Sequence, residues 1–170
     1  MHMEKVLSFG SIEVGQTWES PSRVVSESDV VSFANLTGDF DPLHMDPEFA
    51  RNTPFKQPIV HGLLGLSLVA GLGSHSPSVH TAAFMGVSDW KFLRPLYFGD
   101  TVYVRTEVIE KRPHGRRRGL VSWKRQLLNQ HDQVVQEGIF ETLVTIAPPI
   151  PAPHQPASIS ASGSTVSSRV

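Results

Sequence analysis

The run Gly38-Asp39-Phe40-Asp41-Pro42-Leu43-His44-Met45-Asp46 places three carboxylates and an imidazole within eight residues, in a chain of which only 18% is charged. Asp39 and His44 are five apart. Between them Pro42 fixes one backbone dihedral and forces Asp41 to be extended, so a turn here can aim both side chains into one space. If the two share a water molecule, Asp39 can take its proton while His44 orients it or supplies a proton elsewhere. The competing reading is a capping turn, with Asp46 heading the next helix and the other acids solvated.

A second feature lies at Ile59-Val60-His61-Gly62, which opens an apolar segment. A glycine there exposes a backbone N–H at the positive end of a helix dipole. Such an N–H can stabilise charge developing on a carbonyl oxygen, an effect worth roughly 3 kcal/mol where one oxyanion donor has been removed from an enzyme. Alternatively Gly62 only permits close packing. His61, at a helix start, is expected to order the loop or the oxyanion donor more than to react itself. Water-activating groups and an oxyanion donor together describe water addition beside an acyl carbonyl.

These residues need elements to hold them. Ser26 to Thr37 reads as a helix, since Val30, Phe33, Ala34 and Thr37 keep helical spacing, with Ser26 and Asp29 as caps and Gly38 at its end. A short helix should begin at Asp46-Pro47. Gly62 to Leu72 is apolar on nearly all sides, which predicts burial around its whole circumference. From Ala82 the period becomes that of strands: Ala82 to Phe92, Val102 to Ile109, Leu120 to Leu128 and Val134 to Ile146, separated by turns at Pro113-His114-Gly115 and Asn129 to Asp132. Four strands in sequence suggest a meander, with Phe84, Met85, Trp90 and Phe92 in its core. The fold class expected is α+β, an antiparallel sheet wrapped around one buried helix. Open sheet edges predict a homodimer.

The chain has 170 residues, 39% of them hydrophobic, as expected of one ordinary globular domain. Fifteen Lys and Arg against sixteen Asp and Glu give a formal charge of −1, so neither nucleic acid nor a membrane is an expected partner. The absence of cysteine excludes disulfides, thiolate metal sites and a cysteine nucleophile. No secretory signal is read at the N-terminus, where Met1-His2-Met3 could be an expression remnant, and a cytoplasmic location is expected. The folded domain is expected over residues 1–146. The Pro- and Ser-rich residues 147–170 have too few large apolar side chains to offset the entropy of ordering and are expected to form a disordered tail.

The motif over Gly38 to Pro47, followed by Pro58-Ile59-Val60-His61-Gly62, resembles the MaoC-like (R)-specific enoyl-CoA hydratases of the hotdog fold. Trp90-Lys91-Phe92-Leu93-Arg94-Pro95 with Gly99-Asp100-Thr101-Val102 looks like that family's strand, turn and strand, and the resemblance covers about Ile12 to Ile146. It implies that Asp39 and His44 activate water for syn addition across a trans-2-enoyl thioester, with the Gly62 N–H on the thioester oxygen. The reverse reaction would dehydrate an (R)-3-hydroxyacyl thioester. The substrate would be an acyl-CoA or acyl-carrier-protein thioester, and no metal or other cofactor is called for, because the thioester is itself the electron sink.

Two departures from the family pattern bear on the substrate. Asp41 stands where asparagine is usual, and an ionised aspartate can only accept hydrogen bonds. Ala70 matches a serine found in some relatives, with Ser67 about one turn earlier. Asp41, His61, Ser67, Lys91 and Arg94 are the candidate substrate-binding residues. A basic cluster, Lys111, Arg112, Arg116, Arg117, Arg118 and Lys124, could meet the phosphates of coenzyme A or an acidic carrier protein. Two other functions remain open: a hotdog thioesterase, and a non-catalytic acyl-binding or metal-binding module using Asp39, Asp41, His44, Asp46 and His61 as ligands.

Overall fold

The computed structural model describes residues 6–146. The residues expected to form a tail and the Met1-His2-Met3 start lie outside the described residues.

Helix α1 spans Glu27–Thr37. The side chain of Ser26 accepts from the Asp29 N–H while Asp29 accepts from the Ser26 N–H, a reciprocal capping box. Gly38 closes the helix in the left-handed region at φ 80°, which a residue without Cβ adopts readily. The chain then makes a one-turn helix α2, Pro42–Met45, capped by Asp41, and a second short helix α3, Pro47–Arg51, capped by Asp46. The sequence reading foresaw α3 but took the α2 residues for a plain turn. Helix α4 spans Gly62–Gly73.

Two short strands, β1 (Thr17–Glu19) and β2 (Arg23–Val24), precede the long ones: β3 (Thr81–Phe92), β4 (Thr101–His114), β5 (Arg118–Leu128) and β6 (Val134–Thr145). The main sheet is antiparallel in the order β1-β4-β5-β6-β3, with β2 also on β4. The expected simple meander therefore holds only for β4, β5 and β6. Strand β3 pairs with β6 at the far edge. The connection after β3 is anchored where Leu93 and Arg94 donate their N–H groups to the Val135 carbonyl and Leu96 accepts from Val60, which carries the chain past the start of α4 to reach β4.

Inward residues of β4 to β6, among them Val102, Val104, Trp123, Leu127, Val135 and Phe140, form one core with Val60, Leu64, Leu68 and Val69. Helix α4 lies very close to the sheet, because a Cβ at Gly65 would stand 2.2 Å from the Gln136 side chain and one at Gly73 2.8 Å from Arg125. One expectation fails on α4: it is not buried all round within the chain. Leu63 is 60% exposed, and Ser67, Ala70 and Ser74 are open on the same side, since the sheet covers only the opposite face. Phe84, Met85 and Phe92 are likewise exposed on the edge strand rather than core. Among the described residues no helix is long and apolar enough to cross a membrane.

The capping box that starts α1 gives a pH-dependent part of stability. The Ser26 backbone N–H chiefly, with its hydroxyl and Arg23, holds the Asp29 carboxyl below its usual 3.8 against a smaller opposing effect of burial. Folding thus favours the ionised form, so the stabilisation is complete above that usual value and drains away as the pH falls through the lower folded value. Asp29→Asn is expected to lower stability at pH 7 by about 1 kcal/mol, a typical cap contribution. The difference from the parent protein should shrink as the pH falls from that usual value through the lower folded one, as read in urea titrations.

Candidate active site

Asp39 follows the Gly38 turn, and its half-exposed carboxylate points toward two imidazoles. Asp39, His44 and His61 each offer a ligand or proton-accepting atom within 4.8 Å of the others. Local bonds fix each group. The Asp39 N–H donates to the Thr37 hydroxyl at 3.3 Å, and its Oδ1 accepts from the Asp41 N–H at 3.3 Å.

Helix α2 presents His44, whose Nδ1 lies 2.7 Å from the Ile59 carbonyl. A carbonyl can only accept, so Nδ1 carries the proton and, in the neutral ring, Nε2 keeps a free lone pair. His61 is 2% exposed, and its Nε2 donates to the Asp39 carbonyl at 2.9 Å. Its ring stacks on His44 with centroids 3.9 Å apart and touches Phe33 at 5.1 Å. With Nε2 protonated, the buried Nδ1 is an acceptor without a partner. His61 therefore braces the Asp39 turn and the His44 ring from behind.

Gly62 follows as the first residue of α4, where its N–H has no acceptor within the helix. The register of β3 on β6 sets Phe92 opposite Gln136, and both reach this first turn. Gln136, nearly fully buried, donates to the Gly62 carbonyl at 3.1 Å and accepts from Trp90 Nε1 at 3.3 Å. A Cβ at Gly62 would meet the Phe92 ring at 2.9 Å. A cavity of about 300 Å³ opens here, walled by Ile59, Gly62, Phe92, Arg94 and Gln136.

The remaining sequence candidates are placed as follows. Asp41 turns to its own helix, its Oδ1 accepting from the Leu43 N–H at 2.8 Å. Asp46 likewise caps α3, so neither joins the cluster of Asp39, His44 and His61. Arg94 lines the cavity and donates to the Val134 carbonyl at 2.8 Å. Ser67 is exposed on α4 and donates to the Leu63 carbonyl. Lys91 is not brought to this site: strand alternation turns it away from Phe92, into a depression with Asp89, Ile109, Lys124 and Glu137.

Within the basic cluster Lys111, Arg112 and Lys124 pair with Glu13, Glu110 and Glu137, while Arg116 to Arg118 are exposed at the hairpin. Sequence reasoning missed Gln136, although a glutamine next to Val134 and Val135 in a strand was a visible sign of a polar group facing inward.

Residues 10–126 match the family described as the MaoC like domain, and the chain belongs to that dehydratase family, with its hotdog fold. The 3-hydroxybutyryl-CoA dehydratase of Methylorubrum extorquens is 38% identical over 143 residues, 84% of this chain and 85% of the relative. The (R)-specific enoyl-CoA hydratase of Aeromonas caviae is 40% identical over 102 residues, 60% of this chain and 75% of the relative. Among solved structures, an Archaeoglobus protein described as a monoamine oxidase regulatory protein superposes with a TM-score of 0.80 at 37% identity, covering 86% of this chain and 99% of the other.

The clamp on Gly62 can be tested through packing. Gly65→Ala would drive a methyl into the Gln136 amide and is expected to lower stability by about 2 kcal/mol. Shortening Gln136 to Ala in the same protein should relieve that clash, so the two changes together should cost less than the sum of their separate effects in denaturation titrations.

Proposed function

We propose that the protein catalyses (R)-specific hydration of a trans-2-enoyl-CoA to the (R)-3-hydroxyacyl-CoA, or the reverse dehydration, with Asp39, His44 and Gly62 at the reacting atoms. The observation that carries this reading is the convergence of Asp39 and His44 beside His61, the residue that leads directly into the Gly62 N–H, which has no acceptor within α4. The names of the relatives agree with it in reaction class.

A water between the two groups would donate one hydrogen to the Asp39 carboxylate and the other to His44 Nε2, leaving an oxygen lone pair for C3 of the enoyl group. As the C3–O bond forms, Asp39 takes the water's proton and the C2–C3 π electrons move onto the thioester, whose oxygen becomes enolate-like and accepts from the Gly62 N–H. Asp39 then returns the proton to C2, and the thioester carbonyl reforms. Proton and hydroxyl arrive from one face, which gives syn addition and regenerates the carboxylate. The Ile59 carbonyl keeps the His44 lone pair on the reactive side, and Gln136 holds the turn that aims the Gly62 N–H. Each step is closed by the thioester and these side chains, so the scheme calls for no redox cofactor.

The unit that acts is proposed to be a homodimer joined along β3, whose outer edge lacks a strand partner among the described residues and carries Phe84, Met85 and Phe92 in the open. Residues 1–146 are proposed as the working domain.

Asp39→Asn keeps the shape and the acceptor for the Asp41 N–H but cannot take a proton. It is expected to slow hydration of crotonyl-CoA on the order of a hundredfold to ten-thousandfold with an unchanged melting temperature. Near-normal turnover in this variant would reject the assignment. Release of free thiol from saturated acyl-CoA by the parent protein would favour a thioesterase instead.

A further inference from the structure

Among the described residues Arg125 is the one strongly buried Lys or Arg, and the reaction just described leaves it unused. It is 8% exposed, between Trp123 and Leu127 on β5. Its Nη2 donates to the Gly73 carbonyl at 3.0 Å at the end of α4, and its guanidinium lies 4.9 Å from the Phe140 ring centroid. Among the described residues its Nε has no partner and no carboxylate pairs with it. Burial lowers its pKa to about 10, so the group is still charged at neutral pH. A buried cation of this kind calls for an anion.

A place for that anion adjoins it. A cavity of about 200 Å³ is lined by Arg125, Thr142, Ser74 and Thr81 among otherwise mostly apolar walls that include Ala70, Phe84 and Phe140. The Thr142 oxygen accepts from Trp123 Nε1 at 2.9 Å, which leaves its hydroxyl proton free to donate. The cavity is joined to the reaction site by the open side of α4, where Leu63, Ser67, Ala70 and Ser74 follow one another at helical spacing. At about 1.5 Å per residue, Ala70 stands on the order of 12 Å beyond Gly62 along the helix. A thioester held at Gly62 would send its acyl chain along this stripe, past Phe84, and end at Arg125.

Building on the hydratase reading, we infer that the substrate's acyl chain ends in a carboxylate, and that Arg125 with Thr142 recognises it. Arg125 then determines specificity, because its charge is neutralised only when the acyl chain brings an anion. A methyl-ended chain of the same length leaves the guanidinium buried without a counter-charge and is disfavoured.

The test uses the full chain and two series of trans-2-enoyl-CoA thioesters of rising length, one ending in methyl and one in carboxylate, followed by kcat/KM. At the length that spans α4, the carboxylate-ended thioester should be preferred on the order of tenfold to a hundredfold, the range for a hydrogen bond to a charged group. Arg125→Met should abolish that ratio and Arg125→Lys should restore part of it.

Calorimetric binding of the saturated, carboxylate-ended acyl-CoA to the parent protein and to both variants gives a readout independent of turnover. Tighter, Arg125-dependent binding without hydration of any thioester would sink the hydratase reading and keep the subsite. Hydration with no preference for carboxylate at any length, or a preference that survives Arg125→Met, would overturn the inference. If Arg125→Met does not fold, the parent protein's preference and Arg125→Lys still decide the matter.

Discussion

The Nε2–H of the buried His61 on the carbonyl of Asp39, 2.9 Å long, joins two parts of the chain twenty-two residues apart. Without it the Asp39 turn would be tied to the segment before α4 only through Leu43 and His44, both of which bond to Ile59. The same ring stacks on His44 and stands immediately before Gly62, so one buried side chain sets the relative positions of carboxylate, imidazole and helix N–H. A donor as buried as the His61 ring is costly to leave unpaired, which suits a residue whose task is to hold others still.

The sheet supplies the other constraint. Because β3 crosses to the far side of β6, Phe92 and Gln136 become neighbours and meet the first turn of α4 together. Gln136 grips the Gly62 carbonyl, Phe92 covers the space where a Cβ would be, and Gly65 lets the helix come close enough for both. Glycine at 62 and 65 therefore serves close approach. The two readings offered for Gly62 from sequence, oxyanion donor and packing residue, are physically compatible.

What could be read from sequence was local. Ser26, Asp29 and Gly38 declared both ends of α1 because caps act within a few residues, and the apolar run from Gly62 declared α4. The pairing of Asp39 with His44 was legible because only a short turn separates them. Strand order was not, since the place of β3 depends on contacts with residues over forty positions away. Phe84, Met85 and Phe92 looked like core because period and residue type do not distinguish an inward face from an uncovered edge. Lys91 went astray by one residue of strand alternation, which sends it to the opposite face from Phe92. Arg125 and Gln136 sat in plain view as polar residues at inward strand positions, yet only the packed helix shows what they touch.

The central claim is that one water, shared by Asp39 and His44, is added to an enoyl thioester from a single face. Hydration of crotonyl-CoA in deuterium oxide tests this most directly, with the configuration at C2 and C3 of the product read by NMR. The expected product is (R) at C3, with deuterium at C2 delivered to the same face as the hydroxyl. Deuterium on the opposite face would contradict a shared water held by these two side chains, and an (S) alcohol would contradict the (R)-specific assignment.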